Sequence, residues 1–447
     1  MSSSFYRSSQ AYLRLATPLI LGNLLEILIP TTDTLMVGHL GKQYLAAAEL
    51  ANSLTIVVFL LLIGISHGLV PRVAALVANK QYQDATAWFK NSLLLNAVLG
   101  TMLCLMMYQL APLLNRFDQD PEVVQLAIPY FQIVVISLLP DMVSITLMRY
   151  LEAVAQTSII FYASLVTCVS NITLNYIFIH GQLGLPAMGL LGAGWGTLTA
   201  RVLTMLLLST YVFGRSGMRR HVSSFFQHPF SLTYIKKLFK LGLPIGLQLS
   251  LELAVVACYV LMMGWISVEA QAADAIMENI IAFGLTVTWA FSSAASILVS
   301  GQIGKGNVAA VRSAGMTSFV VAGSVSLAIS LVIFASRNYI LPLYGPAPEV
   351  LVIAEYLLCL AALWNLFDTF YTIGMGVLRG LEDTFFPFWV TTLIHWSVGM
   401  SVSYFLAFQA GWGPAGIVWG SICSYALAGL VVVWRFYVKS RQLAQSQ

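Results

Sequence analysis

Charged residues are scarce in this chain. Asp, Glu, Lys and Arg together make up 9% of the 447 residues, while 59% are hydrophobic. Soluble domains carry about 25% charged residues. The low charge therefore excludes a water-soluble fold of this size and indicates a chain that lies mostly in lipid.

Cysteine is also rare, and its placement excludes two common uses. The five cysteines have no CxxC spacing and no histidine close in sequence: Cys104, Cys168, Cys258, Cys359 and Cys423. Neither a disulfide framework nor a zinc site is expected. HExxH is absent too, and the one GxSxG match, GISHG at 64–68, lies inside an apolar run, so we expect neither an enzyme nor a cofactor.

Long apolar runs, in contrast, are abundant. A membrane-crossing helix needs about 20 mostly apolar residues. Twelve runs qualify: 15–37, 51–70, 92–114, 124–147, 157–180, 190–213, 241–265, 276–299, 315–335, 351–377, 386–408 and 414–436. The sequence therefore predicts an all-α polytopic membrane protein whose termini lie on the same side.

Positive charge is distributed unevenly among the loops. Of the 22 Lys and Arg residues, 18 fall on the side that holds both termini. Cytoplasmic loops carry such an excess. We therefore expect cytoplasmic termini and a place in the plasma membrane, which in bacteria is the inner membrane. The net charge of +4 follows from topology and does not require nucleic acid as a partner.

The two halves of the chain resemble each other. Residues 240–252 align with 14–26 at an offset of 226, matching a proline and a glutamate in each segment. GIVWG at 416–420 aligns with GAGWG at 192–196 at an offset of 224. Composition alone would not align the charged and proline positions. Two repeats of six spans insert the same way up, related by an axis along the membrane normal.

This repeat predicts the domain organisation. The first six spans form an N-lobe at residues 1–213, and the last six form a C-lobe at 241–447. Between them, the arginine-rich stretch 214–240 reads as a cytoplasmic linker without a span.

Ionisable residues inside the spans are costly in lipid and usually face a bundle interior or an aqueous cavity. In the first span Asn23, Glu26, Pro30 and Asp33 are spaced by three, four and three residues, which places them on one helix face. The alternative is a proline-kinked packing helix with Asp33 near the outer interface.

The second repeat has its own acids. Gln248 and Glu252 are four residues apart in the seventh span, and Trp364, Asp368 and Tyr371 share a face of the tenth. Both carboxyls lie roughly 14 to 17 Å from the cytoplasmic ends of their helices. They either share one site or are satisfied separately by neighbours.

Such acids suit ion exchange. A carboxyl in a low-dielectric medium takes up a proton or a small hard cation to lose its net charge, and a cationic substrate competes for the same charge. Glu278, nearer a span end, is a further candidate for the cavity. Arg201, in the middle of the sixth span, reads as a buried partner for Asp141 or Glu26.

Several segments resemble the MATE (multidrug and toxic compound extrusion) family, and within it the NorM type. They are DTLMVGHLG at 33–41, NITLNYIFIHGQLGLPAMGLLGAGWGT at 171–197 and LRGLEDT at 378–384. The resemblance implies two six-helix lobes arranged as a V around a central cavity. It also implies export of cationic, amphiphilic drugs in exchange for Na⁺ or H⁺ by alternating access.

Carried over by position, the coupling acids are Asp33, Glu252 and Asp368, with a candidate Na⁺ site at the last two. Some branches of the family end the NxxLN run in Asp, but here it reads Asn171 to Asn175. Asn does not titrate, which favours the second lobe and Na⁺ while leaving H⁺ open. The expected cavity residues are Glu26, Asn23, Asn171, Asn175, Gln248, Glu278, Trp364 and Tyr371.

Two other transport classes remain as alternatives. A flippase for lipid-linked precursors would need several basic residues for phosphate, whereas one arginine lies mid-span here among several acids. An ion channel is disfavoured because paired repeats with acids at the midplane are typical of transporters. We expect a monomer with small cationic drugs and the lipid bilayer as its partners.

Overall fold

The computed structural model describes residues 2–116, 120–218, 222 and 224–445, and the regular structure within them is helical. Arg219 and Arg220 of the predicted linker lie outside the described residues.

Within the described part of the chain, twelve helices are long and apolar enough to cross a membrane. They are α1 (Ser2–Gly38), α2 (Lys42–Ala78), α3 (Tyr82–Arg116), α4 (Pro121–Ala153), α5 (Thr157–His180), α6 (Leu190–Gly214), α7 (Leu232–Ile266), α8 (Val268–Gly304), α9 (Val308–Tyr344), α10 (Pro348–Gly380), α11 (Phe385–Gln409) and α12 (Pro414–Gln445). The prediction of an all-α protein with twelve spans is confirmed.

Most helices extend beyond the apolar run that predicted them. α2 covers Lys42–Ala78, whereas its apolar run covers 51–70. The hydrophobic run marks only the part of a helix inside the hydrocarbon, about 30 Å thick, and the helix continues through polar residues at the interface. For the same reason α7 begins at Leu232, inside the predicted linker.

Local sequence signals set several helix ends. Asp120 caps α4 by accepting a hydrogen bond from the backbone N–H of Glu122 at 2.8 Å, with Pro121 in the first turn. Ser267 and Asn307 cap α8 and α9 through their side-chain oxygens. These residue types satisfy backbone donors that have no partner within the helix.

α11 departs from regular α-helical geometry. Residues Thr391–Gly399 and Phe405–Gln409 form π-helical turns on either side of a short α-helical segment. π-Helical segments are uncommon and occur frequently at functional sites. The first segment contains Thr391 and His395, both buried.

The chain divides into two compact units. One comprises residues 21–246, and the other comprises 1–20 together with 247–447. The beginning of α1 thus packs with the second repeat, where Tyr12 is fully buried and donates a hydrogen bond to the carbonyl oxygen of Phe291 at 2.8 Å. The beginning of α7 packs with the first repeat.

Glycines bring α2 and the start of α7 into backbone contact. A Cβ at Gly64 would overlap the backbone of Gly246, and a Cβ at Gly68 would overlap Gly242. In each helix the two glycines are four residues apart, the GxxxG spacing that lets membrane helices approach closely. This contact holds Gly242 and Gly246 of α7 against α2 of the first repeat.

A buried ion cluster lies at the end of α10. The Asp383 carboxylate accepts a hydrogen bond from Arg435 Nε at 3.0 Å and pairs with Lys439 Nζ at 3.0 Å. Asp383 is 8% exposed, and both of its ion-pair partners lie on α12.

Candidate functional site

Glu252 lies in the interior of the second repeat and accepts two hydrogen bonds from neutral donors. Gln248, one turn earlier on α7, donates from Nε2 to Glu252 Oε1 at 3.0 Å. The Tyr371 hydroxyl, from α10, donates to the same oxygen at 2.5 Å. A carboxylate held this way keeps acceptor capacity on its second oxygen.

Tyr371 connects this carboxylate to the π-helical segment of α11. Its hydroxyl also lies 2.6 Å from Thr391 Oγ1. Since a phenol has one proton, and that proton is donated to Glu252, the Thr391 hydroxyl can donate to the Tyr371 oxygen or to the carbonyl oxygen of Pro387 at 3.2 Å. Three helices, α7, α10 and α11, therefore hold one carboxylate.

Asp368 lies on α10, one turn before Thr372. Its Oδ1 accepts a hydrogen bond from Thr372 Oγ1 at 3.1 Å. Its Oδ2 is buried and has no partner among the described residues, and the whole residue is only 3% exposed. Asp368 also interacts electrostatically with Glu252. A buried carboxylate oxygen without a donor is a position where a cation would be stabilised.

Aromatic rings pack around Tyr371 of this cluster. Tyr425 of α12 packs edge-on against Tyr371 and Trp364, with ring centroids 5.4 and 5.0 Å apart. His395 lies between Tyr371 and Tyr425 at 5.0 and 4.4 Å. Trp364, expected beside Asp368, therefore contributes its ring to this aromatic wall, and its Nε1 has no partner in the described structure.

Neutral polar side chains close to Asp368 in sequence join α10 to α9. Asn365 donates from Nδ2 to Ser326 Oγ at 2.9 Å and Ser330 Oγ at 3.1 Å, joining α10 to α9. The Thr369 hydroxyl lies 2.7 Å from Ser326 Oγ. None of these residues was predicted, because single Ser, Thr and Asn residues in apolar helices give little signal by themselves.

Glu278 of α8 is half-buried. It interacts electrostatically with Asp274, one turn earlier, and with Tyr425. It belongs to the same interior as the aromatic wall.

The first repeat holds a second, separate acidic cluster. Asp33 Oδ1 accepts a hydrogen bond from Asn175 Nδ2 at 2.5 Å. Asn171 donates to Thr197 Oγ1 at 3.2 Å, and its own oxygen lies 3.4 Å from Asn175 Nδ2. Gly196 leaves room for this arrangement, because a Cβ there would overlap the Asn175 amide oxygen. Asn175, at the end of the NxxLN run, thus binds Asp33, and Asn171, at its start, contacts Asn175.

Glu26 does not join the Asp33 cluster. Its Oε1 accepts a hydrogen bond from Ser164 Oγ of α5 at 3.2 Å, and the side chain is exposed. Asn23 is half-buried one turn earlier on α1. Near Pro30, which has no N–H to donate, Thr31 and Thr32 donate their hydroxyls to carbonyls of the preceding turn at 2.9 Å.

Arg201 pairs with Asp141, one of the two partners expected for it. Arg201 Nη2 lies 3.3 Å from Asp141 Oδ2, and Nη1 donates to Ser137 Oγ at 2.7 Å. It also interacts electrostatically with Asp33. The mid-membrane arginine is therefore neutralised by a local acid.

Among the described residues no three His, Cys, Asp or Glu side chains form a group that could hold a metal ion. The second-repeat cluster instead offers carboxylate, hydroxyl and amide oxygens, the ligands that small hard cations prefer. Buried acids in each of two six-span repeats define a secondary transporter.

The sequence pattern of the MatE family matches residues 18–177 and 244–405. This match covers more than half of the chain, which therefore belongs to the MatE family. Members of this family are transporters, so the expectation that the chain is a transporter and not an enzyme is confirmed.

Curated relatives extend over nearly the whole chain. The multidrug resistance protein NorM of Burkholderia vietnamiensis is 29% identical, covering 96% of this chain and 94% of its own length. A probable multidrug resistance protein NorM of Pseudomonas aeruginosa is 31% identical over 99% of this chain and 92% of its own.

A solved multidrug resistance MATE family transporter of the MOP superfamily, in an outward-facing conformation, has the same fold. It gives a TM-score of 0.90 at 19% identity, covering 98% of this chain and 97% of its own. The resemblance to the MATE family and its NorM type is confirmed.

Proposed function

We propose that this protein exports cationic, amphiphilic compounds across the plasma membrane in exchange for Na⁺, with Glu252 and Asp368 as the coupling acids. The observation that carries the proposal is the buried Asp368 Oδ2, which has no partner within the described structure and lies in a carboxyl-rich interior with Glu252. Burying an unpaired charge costs several kcal/mol, and a bound cation offsets that cost.

The environment of Glu252 and Asp368 supplies the oxygen ligands that a small hard cation prefers. Tyr371 and Gln248 both donate to Glu252 Oε1, which leaves Oε2 available for a cation or a proton. In the first repeat, Asn175 replaces the second acid of a proton-binding pair. Proton coupling remains the competing possibility, with Asp33 as its candidate acid.

The cargo is inferred from charge and from the names of relatives. NorM relatives carry the name multidrug resistance protein. The aromatic wall of Trp364, Tyr371 and Tyr425 presents rings whose faces attract organic cations. A drug cation and Na⁺ compete for the negative charge of Glu252 and Asp368. When the cavity opens alternately to the two sides of the membrane, this competition exchanges one cation for the other. The protein would function as a monomer with cytoplasmic termini.

The test uses purified protein in liposomes, with drug transport driven by an imposed Na⁺ gradient or an imposed pH gradient. We expect Na⁺ to drive transport, and Glu252→Gln and Asp368→Asn each to abolish it while the protein folds and inserts. Amides preserve shape and remove only the charge. Glu349→Gln, an exposed acid at the start of α10, serves as the matched control and should transport normally.

Binding of ²²Na⁺ to the purified protein separates the two repeats. Binding should persist in Asp33→Asn and disappear in Glu252→Gln. Transport driven only by the pH gradient, with ²²Na⁺ binding absent from the wild type, would assign the coupling to H⁺ instead. Unimpaired drug export by the double variant Glu252→Gln and Asp368→Asn would refute these acids as the coupling site.

A further inference from the structure

The segment between the two repeats folds back onto the first repeat. Phe225 is buried against Phe89 of α3 and Phe213 of α6, with ring centroids 5.5 and 5.0 Å apart. Lys90 Nζ donates to the carbonyl oxygen of His228 at 2.7 Å. Asn91 Oδ1 accepts from the backbone N–H of Ser231 at 2.8 Å and so caps the start of α7.

These contacts fix the depth of the segment. α3 spans 35 residues, about 52 Å at 1.5 Å per residue, and is therefore longer than the hydrocarbon layer of about 30 Å. Lys90 lies about 12 Å from the start of α3 by the same rise. The apolar run of α3 begins at Ser92. The residues bound to Lys90 and Asn91 therefore lie at the boundary between headgroups and acyl chains.

The first turns of α7 are anchored at two points. They are held at one end by Asn91 and at the other by the contact of Gly242 with Ile65 and Gly68 near the end of the α2 apolar run. The stretch 232–240 between these anchors therefore begins at the level that Asn91 fixes. Leu238 is buried against the protein, while the opposite face is exposed.

Large apolar side chains on this segment remain mostly exposed. Phe226 is 86% exposed, Phe230 is 59% exposed and Leu232 is 72% exposed. Three exposed lysines follow on the same stretch: Lys236, Lys237 and Lys240. Aromatic and aliphatic groups beside a row of lysines are typical of segments that lie on an anionic membrane surface.

We propose that residues 226–240 form a lipid-binding surface for the inner leaflet, in which Phe226, Phe230 and Leu232 enter the acyl boundary and the three lysines bind anionic headgroups. Lys90 holds part of this surface in place. Its ammonium lies over the rings of Phe225 and Phe230, at 5.6 and 4.8 Å, and holds the second ring at this depth.

The test places p-benzoylphenylalanine at position 226 or 230 of the full chain in nanodiscs that contain equal anionic and zwitterionic phospholipid. Photolysis should give lipid adducts, measured by mass spectrometry. Position 81 is the matched control, because Gln81 is exposed on the turn before α3, about 15 Å further from the bilayer than Asn91, and should give no lipid adduct.

Headgroup selectivity tests the lysines. Adducts at 226 should favour the anionic lipid by about fivefold or more, the factor expected of a single lysine near a charged surface. Substituting Gln for all three lysines should return the ratio to that of the bilayer. Adduct yields at 226 and 230 no higher than at 81, or adducts only to this chain's own peptides, would overturn the proposal.

Discussion

The glycine contact between α2 and α7 leads to a prediction about stability. Substituting Gly64 with Ala places a methyl group against the backbone of Gly246, where no flexible side chain is available to move. The two helices must separate by roughly 1 Å, and a gap of that size forfeits a quarter to a half of each dispersion contact across the interface. Overpacking of this kind costs about 1–3 kcal/mol.

Gly301 on α8 provides the matched control. It is also helical, but a Cβ there meets nothing within 4 Å. Replacing an unconstrained helical glycine with alanine stabilises by about 0.5–1 kcal/mol. The free energy of unfolding should therefore be lower than the wild-type value in Gly64→Ala and higher in Gly301→Ala. The two variants should differ from each other by about 1.5–4 kcal/mol.

The assay is thermal unfolding in detergent with a thiol-reactive fluorophore, after Cys258, Cys359 and Cys423, which are not fully buried, have been replaced by Ser. Cys104 and Cys168 are free and 4% exposed, so they react only when the unit that contains Gly64 opens. We expect Gly64→Ala to unfold at lower temperature than the wild type and Gly301→Ala at the same or higher temperature. Adding Gly246→Ala to Gly64→Ala should cost less than the sum of the single changes, because one separation relieves both overlaps. Equal unfolding temperatures for Gly64→Ala and Gly301→Ala would refute the close packing.

Three further predictions follow from single contacts. Tyr371→Phe removes a donor from Glu252, and we expect ²²Na⁺ affinity to change by at least several-fold while folding survives; unchanged affinity would place the ion away from Glu252. Asp383→Asn leaves Arg435 and Lys439 with a weaker acceptor, so we expect the free energy of unfolding to fall by about 1–3 kcal/mol and the unfolding temperature to fall with it; an unchanged unfolding temperature would show that both side chains turn to solvent. Cysteines at Gly38 and Gly217, where a side chain meets nothing within 4 Å, should react with impermeant reagents from opposite sides of the membrane; labelling from one side contradicts the proposed topology.

The sequence predicted the parts of the fold that depend on periodicity and hydrophobic length. Apolar runs located all twelve helices because burial in lipid constrains every residue of a span. The four-residue spacing of Gln248 and Glu252 also predicted their contact, since one turn of helix brings them together. Such relations lie within a single helix.

Contacts between different helices could not be predicted from the spacing of residues within one helix. Tyr371 was placed on one face with Asp368, but its hydroxyl binds Glu252, 119 positions away. A helical face specifies a direction and not the neighbour it meets. His395 and Tyr425 are isolated in sequence, and they join the aromatic wall only because α11 and α12 pack against α10.

The cap that Asn91 provides for α7 has a consequence for biogenesis. The start of the first helix of the second repeat is capped by a residue 140 positions earlier in the chain, so α3 has already been synthesised when Ser231 leaves the ribosome. Domains fold in the order of their synthesis, and here the earlier repeat acts as the template on which the later one starts. Two separately expressed halves, divided before Ser231, would lose this order and would have to find the cap by diffusion within the bilayer.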